Sequence, residues 1–216
     1  MTAPLPRPGD DPTVTKASLR AAMKRRREAV ARPERERAAR QAAAHVLGLE
    51  ELAGAHTVGL YAALDCELGT DALAAELRER GVRLAYPRVV PGQRALCFHW
   101  VDDSAQFARG TFGLLQPDPA LELVAVNALD ALIVPGLAFD TAGHRLGWGK
   151  GHYDATLAGG VDGLLVGYGY ACQLVDALPQ DAHDVSMDLV VTEAGVTRAG
   201  ARTPRPDGAL DEERLP

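Results

Sequence analysis

Residues 130 to 154 read DALIVPGLAFDTAGHRLGWGKGHYD. The stretch runs from an apolar segment, ALIVPG at 131–136, through a Pro-Gly exit and a glycine-rich loop into a helical pattern over 152–158. A short apolar run bounded by turn signals suits a strand covered on both faces, and strand, loop and helix in that order form the unit of an α/β sheet. Ligands of open α/β sheets sit outside the carboxyl ends of the strands, which is where this loop falls. Its last twelve positions hold four glycines, Arg145, Lys150, two histidines and Asp154. Gly147, Gly149 and Gly151 alternate. Because glycine loses the most freedom on folding, that spacing implies a backbone that reaches φ > 0 or lies close against something. Successive N–H groups of such a turn, together with a helix start, can receive an anion. The loop is neither a P-loop, since Gly151 follows Lys150 and the first glycine is missing, nor G-x-G-x-x-G, since position 152 is His. A tight surface connection would use the same glycines; Arg145, Lys150 and Asp154 turn the reading toward phosphate and a metal ion.

Working outward, strand-like runs alternate with helical ones. Strands are expected at 57–62, 82–87, 95–101, 131–136, 163–169 and 188–192, with helices at 70–80 and 152–158. Two helices precede the first strand. One runs from Lys16 to about Ala31 with Leu19, Met23 and Val30 on its stripe; the next has Pro33, Glu34 and Glu36 in its first turn and ends near Leu49. The expected architecture is a three-layer α/β/α domain over residues 16–198 with a parallel or mixed central sheet. Residues 1–15 and 199–216, rich in Pro, Gly and charge, are expected to be disordered tails.

With 216 residues and 47% hydrophobic content the chain can bury a full core. A net charge of −6 argues against nucleic acid or a lipid surface as partner. Cys66, Cys97 and Cys172 are widely spaced, which indicates neither a disulfide framework nor a zinc site. The start MTAPLPRPGDDPTVT carries acids and prolines where a signal peptide has a basic end and an apolar centre, and no apolar run approaches membrane-spanning length. A cytoplasmic protein, acting as a monomer and bound to no membrane, is expected. Basic charge is concentrated in residues 16–40, with ten Lys or Arg against three acids. Lys16 and Arg20, four apart, share a helix face and can reach one polyphosphate. Arg25, Arg26 and Arg27 read instead as a solvated face.

In order along the chain, Lys16 and Arg20 opening the first helix, YAALDCELGT after the first strand, GLLQP in mid-chain, VPGLAFDTAGHRLGWGKGHYD and HDVSMDLVVTE resemble the 5-formyltetrahydrofolate cyclo-ligase (methenyltetrahydrofolate synthetase) family over about Lys16 to Glu193. The resemblance implies a fold of the type shared with sugar-phosphate isomerases and CoA transferases. It also implies an ATP- and Mg²⁺-dependent closure of 5-formyltetrahydrofolate to 5,10-methenyltetrahydrofolate, releasing ADP and phosphate. It assigns Lys16, Arg145 and Lys150 to catalysis, and Lys16, Arg20, Arg145, Lys150 and Tyr153, with the backbone from Leu146 through Gly147, Trp148 and Gly149 to Gly151, to ATP. Asp154 and Asp184 become the metal pair, and Glu67 and Ala62 the folate contacts.

Several residues have plainer readings. Glu67 alone would be an acid near a helix start, and Ala62 core. His152 departs from the tyrosine usual beside Tyr153; His183 could tune Asp184; Phe98 and Trp100 could stack on a pterin or simply fill the core. Two other classes stay open. A sugar-phosphate isomerase or CoA transferase-like enzyme would need no ATP, and a non-catalytic nucleotide- or folate-binding module would need no metal aspartates.

Overall fold

A computed structural model describes residues 15–64, 66–110, 114–181 and 184–200. Residues 1–14 and 201–216, and the tails expected there, lie outside the described residues, as does His183. The chain opens with helices α1 (Lys16–Glu28) and α2 (Arg32–Leu47). It continues through β1 (Thr57–Gly59), α3 (Asp71–Glu79), β2 (Arg83–Arg88), β3 (Cys97–Trp100), β4 (Phe107–Arg109), β5 (Leu115–Pro117) and β6 (Leu123–Val124). Then follow β7 (Ala131–Pro135), β8 (Ala138–Asp140), β9 (Arg145–Leu146), α4 (His152–Leu157), β10 (Leu164–Tyr168), β11 (Leu174–Val175), β12 (Leu189–Thr192) and β13 (Gly195–Arg198).

Helix starts follow local chemistry. Thr15 caps α1: its side chain accepts from the Ser18 N–H while the Ser18 hydroxyl accepts from the Thr15 N–H, a reciprocal box that satisfies two otherwise orphaned donors. Pro33 sits in the first turn of α2, where its missing N–H costs nothing. The buried stripe of α1 is Leu19, Met23 and Arg27 at four-residue spacing; Val30 lies past the helix end. Arg27 is 1% exposed, which corrects its assignment to a solvated face.

Eight strands form one sheet in the order β13-β12-β10-β7-β1-β2-β3-β6. The inner run from β12 to β2 is parallel, and β13, β3 and β6 join antiparallel at the edges. Alternation sorts the side chains. Ile133, Val166 and Val191 point to one face, packed with Leu73 and Leu77 of α3 and Ala42 and Val46 of α2. Leu132, Leu165 and Val190 point to the other, packed with Leu157 of α4. The result is the expected three-layer mixed α/β arrangement. Sequence periodicity did not reveal β8, β9 and β11, which form a small separate sheet, nor the β4–β5 pair, β6 or β13. Most are only two or three residues long. The first strand stops at Gly59 rather than 62, because beyond Leu60 the chain turns out of the sheet.

Strand order reverses between β1 and β7. From β1 the chain crosses through α3 on one face to β2, and from β7 through α4 on the opposite face to β10. The two chain segments leaving β1 and β7 therefore diverge, and a crevice opens between them. The β8–β9 turn at its rim is pinned to the core. Gly143 adopts φ +85 and its carbonyl accepts from the Met187 N–H at 2.8 Å. A Cβ at Gly143 would overlap the Met187 carbonyl oxygen. Gly143→Ala is therefore expected to lower unfolding free energy by about 2–4 kcal/mol, from left-handed backbone strain plus overpacking. Gly159→Ala, where a Cβ meets nothing within 4 Å, should stay within about 0.5 kcal/mol of the parent in denaturant titrations.

Candidate active site

The loop after β7 is organised around a buried carboxylate. Asp140, at the end of β8, accepts from the N–H groups of Ala142 and His144 through Oδ1 and from Leu178 N–H through Oδ2. Its Oδ2 also lies 2.8 Å from His144 Nδ1. These bonds shape the turn and fix β9, so that Arg145 projects to Asp154 in the first turn of α4, with Nη2 to Oδ1 at 2.6 Å. The alternating glycines answer to arginines. A Cβ would stand 2.7 Å from Arg145 Nη1 at Gly147, 3.3 Å from Arg20 Cζ at Gly149 and 2.8 Å from Arg94 Nη2 at Gly151. Bare backbone lets three guanidinium groups lie against the loop.

Helix α1 supplies the facing wall. Lys16 Nζ bonds both Asp181 and Asp184 at 2.7 Å, and Arg20 Nε donates to the Gly147 carbonyl at 2.9 Å. Partial burial pulls the Lys16 ammonium down, but its hydrogen bonds and attraction to the two carboxylates outweigh this and raise it above its ordinary range. Burial likewise pushes the Asp184 carboxyl up, and is outweighed by the Lys16 hydrogen bond, the Asp181 N–H and the charges of Lys16 and Arg145, which leave it lowered. Arg145 thus acts on both Asp154 and Asp184.

At the other end, the turn leaving β1 returns Glu67 to the crevice, 8% exposed. Its backbone is held by the Tyr61 hydroxyl donating to the Leu68 carbonyl and the Tyr170 hydroxyl donating to that of Glu67. Glu67 Oε2 accepts from Leu64 N–H at 3.0 Å; Oε1 accepts from Trp148 Nε1 at 3.1 Å and from Arg27 Nη1 at 3.4 Å. Burial raises this carboxyl above the ordinary range despite those donors. Nearby, the Tyr153 hydroxyl is buried without a hydrogen-bond partner, and burial pushes it well up.

A cavity of about 560 Å³ opens between the loop, α1 and the Glu67 turn. Every residue expected at the site is on its wall: Lys16, Arg20, Ala62, Glu67, the run from Arg145 through Gly151, Tyr153, Asp154 and Asp184. Cations and aspartates occupy one end, Glu67 the other, and Pro87, Val89, Leu96, Leu114 and Leu115 add apolar wall. Phe98 and Trp100 do not line it: Phe98 is core, and the Trp100 ring carries the Arg83 guanidinium at 4.1 Å. His152 does line it, with Nδ1 2.7 Å from the Arg94 carbonyl. Sequence reasoning missed Arg94 and Asp181 on the wall and Arg27 behind it. Arg27, seven after Arg20 and so on the same helix face, was detectable by spacing; Asp181 lies with Asp184 in an irregular segment where spacing carries no such signal. Arg94 lies in an irregular connection with no periodic signal.

Comparison with known proteins is consistent throughout. The profile of the 5-formyltetrahydrofolate cyclo-ligase family matches residues 12–193. The 5-formyltetrahydrofolate cyclo-ligase of Escherichia coli (strain K12) is 31% identical over 178 residues, 81% of this chain and 98% of that one. The Mycolicibacterium smegmatis enzyme of the same name is 32% identical over 188 residues, 82% and 93% of the two chains. The structure of Aquifex aeolicus 5,10-methenyltetrahydrofolate synthetase matches with a TM-score of 0.76 over 93% of this chain and 100% of that one, at 31% identity. With fold, motif order and similarity in agreement over nearly the whole described length, this chain is an enzyme of the 5-formyltetrahydrofolate cyclo-ligase family.

Proposed function

We propose that the enzyme closes 5-formyltetrahydrofolate to 5,10-methenyltetrahydrofolate at the expense of ATP, releasing ADP and phosphate. The observation that carries this reading is the polarity of this cavity: a cation-rich, glycine-backed end for a triphosphate, joined by apolar wall to a buried carboxylate for the donor groups of a pterin. A formamide oxygen is a poor leaving group. In this mechanism it attacks the γ-phosphate, ADP departs, nitrogen 10 of the folate attacks the activated carbon, and phosphate leaves as the nitrogen loses its proton. The protein's share is positioning and charge neutralisation. Lys16, Arg145 and Lys150 neutralise the transferring phosphoryl group; Arg20, Tyr153 and the backbone from Leu146 to Gly151 seat the nucleotide; Glu67 and Ala62 seat the folate.

Asp154 and Asp184 fit a magnesium ion. Both are carboxylates on the cavity wall flanking Arg145, and Mg²⁺ takes one or two carboxylates with phosphate oxygens and water. Among the described residues no group of three or more His, Cys, Asp or Glu could hold a metal by itself. The bound ion would neutralise phosphate charge. For the side chains this demands an exchange: Arg145 and Lys16, now on the aspartates, must pass to phosphate. The same reading treats residues 16–198 as one catalytic domain of a cytoplasmic monomer that binds no nucleic acid. Among the described residues no helix is long and apolar enough to cross a membrane.

Incubation with 5-formyltetrahydrofolate, ATP and Mg²⁺ is expected to generate the near-ultraviolet absorbance of the methenyl product, and omission of ATP or Mg²⁺ to abolish it. Turnover without ATP would instead favour an isomerase-like chemistry. Lys16→Ala and Arg20→Ala should each raise the ATP needed for half-maximal rate about ten-fold or more, the scale of one lost charge-assisted contact. Arg25→Ala, at an exposed position of α1, should not. Asp154→Asn and Asp184→Asn should raise the magnesium requirement, with excess metal restoring part of the rate. ATP binding without magnesium should hold or tighten, since each change releases a cation. Glu67→Gln should raise KM for folate at unchanged magnesium demand. Thermal melts accompany these kinetics, and wild-type rates for both folded aspartate variants at limiting magnesium would remove the metal assignment.

A further inference from the structure

Helix α1 carries a third cation on its inner face. Arg27 lies seven residues after Arg20 and eleven after Lys16, roughly 10 and 16 Å along the axis at 1.5 Å per residue. Lys16 and Arg20 therefore meet the aspartate and glycine end of the cavity, whereas Arg27 reaches the Glu67 end. It is buried, with its guanidinium 4.9 Å from the centre of the Trp148 ring and Nη1 3.4 Å from Glu67 Oε1, the oxygen that also accepts from Trp148 Nε1. Arginine, indole and carboxylate thus close a triangle.

We propose that Arg27 is a positioning residue for folate: it holds the Glu67 carboxylate and the Trp148 ring in the arrangement that receives the pterin, without touching substrate itself. The proposal rests on the reading of Glu67 as a folate contact. A carboxylate oxygen offers about two acceptor sites. Arg27 and Trp148 take those of Oε1, Leu64 N–H takes one of Oε2, and the acceptor capacity left to a ligand is on Oε2. Burial favours the neutral acid and raises this carboxyl; the Leu64 N–H and then the guanidinium, as counter-charge, oppose it without cancelling it. Arginine suits this task better than lysine, since a planar guanidinium stacks on a ring and donates from its edge at once. Trp148 stands between Gly147, whose carbonyl binds Arg20, and Gly149, so α1 grips the loop at two separate points.

The test compares Arg27→Gln, Arg27→Lys, Glu67→Gln and the double variant Arg27→Gln/Glu67→Gln, all in a Trp100→Phe background so that emission reports Trp148 alone. Arg27→Gln should raise KM for 5-formyltetrahydrofolate about ten- to hundred-fold, the scale of losing a charged hydrogen bond, while KM for ATP stays within two- to three-fold. Arg27→Lys should recover part of the loss. In the Glu67→Gln background the Arg27 change should add less than about three-fold, because partners acting as a unit are non-additive. Without substrate, collisional quenching of Trp148 should rise in Arg27→Gln. If burying an unpaired Glu67 unfolds that variant, Arg27→Lys and the double variant carry the same comparison. Equal losses for ATP and folate, full additivity with Glu67→Gln, or unchanged quenching would each overturn the proposal. A parent enzyme that does not use 5-formyltetrahydrofolate would instead overturn the function on which it rests.

Discussion

Parallel pairing of β1 with β7, Val58 against Ala131 and Gly59 against Leu132, is the constraint on which the rest depends. It sets two strands side by side whose crossovers leave on opposite faces of the sheet, and so obliges their following segments to diverge around a crevice. The pairing is tight. A Cβ at Gly59 would lie 2.5 Å from Leu132 Cδ1 and 2.9 Å from Leu129 Cδ1, so a bare backbone at the last residue of β1 lets core side chains close over the junction. One bank of the crevice then delivers Glu67 and the other delivers the Arg145 loop, 78 residues further along the chain.

Helix α1 lies across that crevice as a charged spine. Its partners on the opposite side are in turn Asp181 with Asp184, the Gly147 carbonyl, and Glu67 with Trp148. The partly exposed pairs add little to stability, since solvent screens them and long side chains lose freedom in making them. Their consequence is placement: carboxylates and cations hold one another in position until a ligand of either sign competes. The Arg27–Glu67 pair is different. Desolvating both charges is costly; their mutual attraction, Trp148 Nε1 and the Leu64 N–H offset part of that cost, while Arg27 Nε stays buried without a hydrogen-bond partner. A buried pair at such a cost fits a place where the orientation of a carboxylate matters more than stability.

Glycines at the active-site loop show how residue type and tertiary setting divide the explanation. Their spacing announces close approach, and Gly149 and Gly151 do take positive φ. Spacing alone is silent on what approaches. Anions were the expected neighbours, yet the groups against the loop are the guanidinium ends of Arg145, Arg20 and Arg94, drawn from its own strand, from α1 and from the β2–β3 connection. An anion would therefore meet a surface already lined with positive charge, not bare N–H groups alone.

The buried β7, the longer strands and helices around it and the two leading helices were legible in local pattern, because hydrophobic period, caps and turn residues act over a few positions, whereas the expected cavity residues from Lys16 to Asp184 were named by motif resemblance to a family. Strands of two or three residues such as β9 and β11 carry no readable period and exist only because β8 offers them an edge. Arg27 marks the division most sharply. In sequence it is the last of four consecutive basic residues, Lys24 to Arg27, set apart from the others only by its seven-residue spacing from Arg20, which does not say whether that face is buried. Only the packing of α1 against the Trp148 loop turns it inward, where Glu67 from the far bank neutralises it. A charge is buried when a partner waits for it, and that partner is supplied by the fold rather than by the neighbouring sequence.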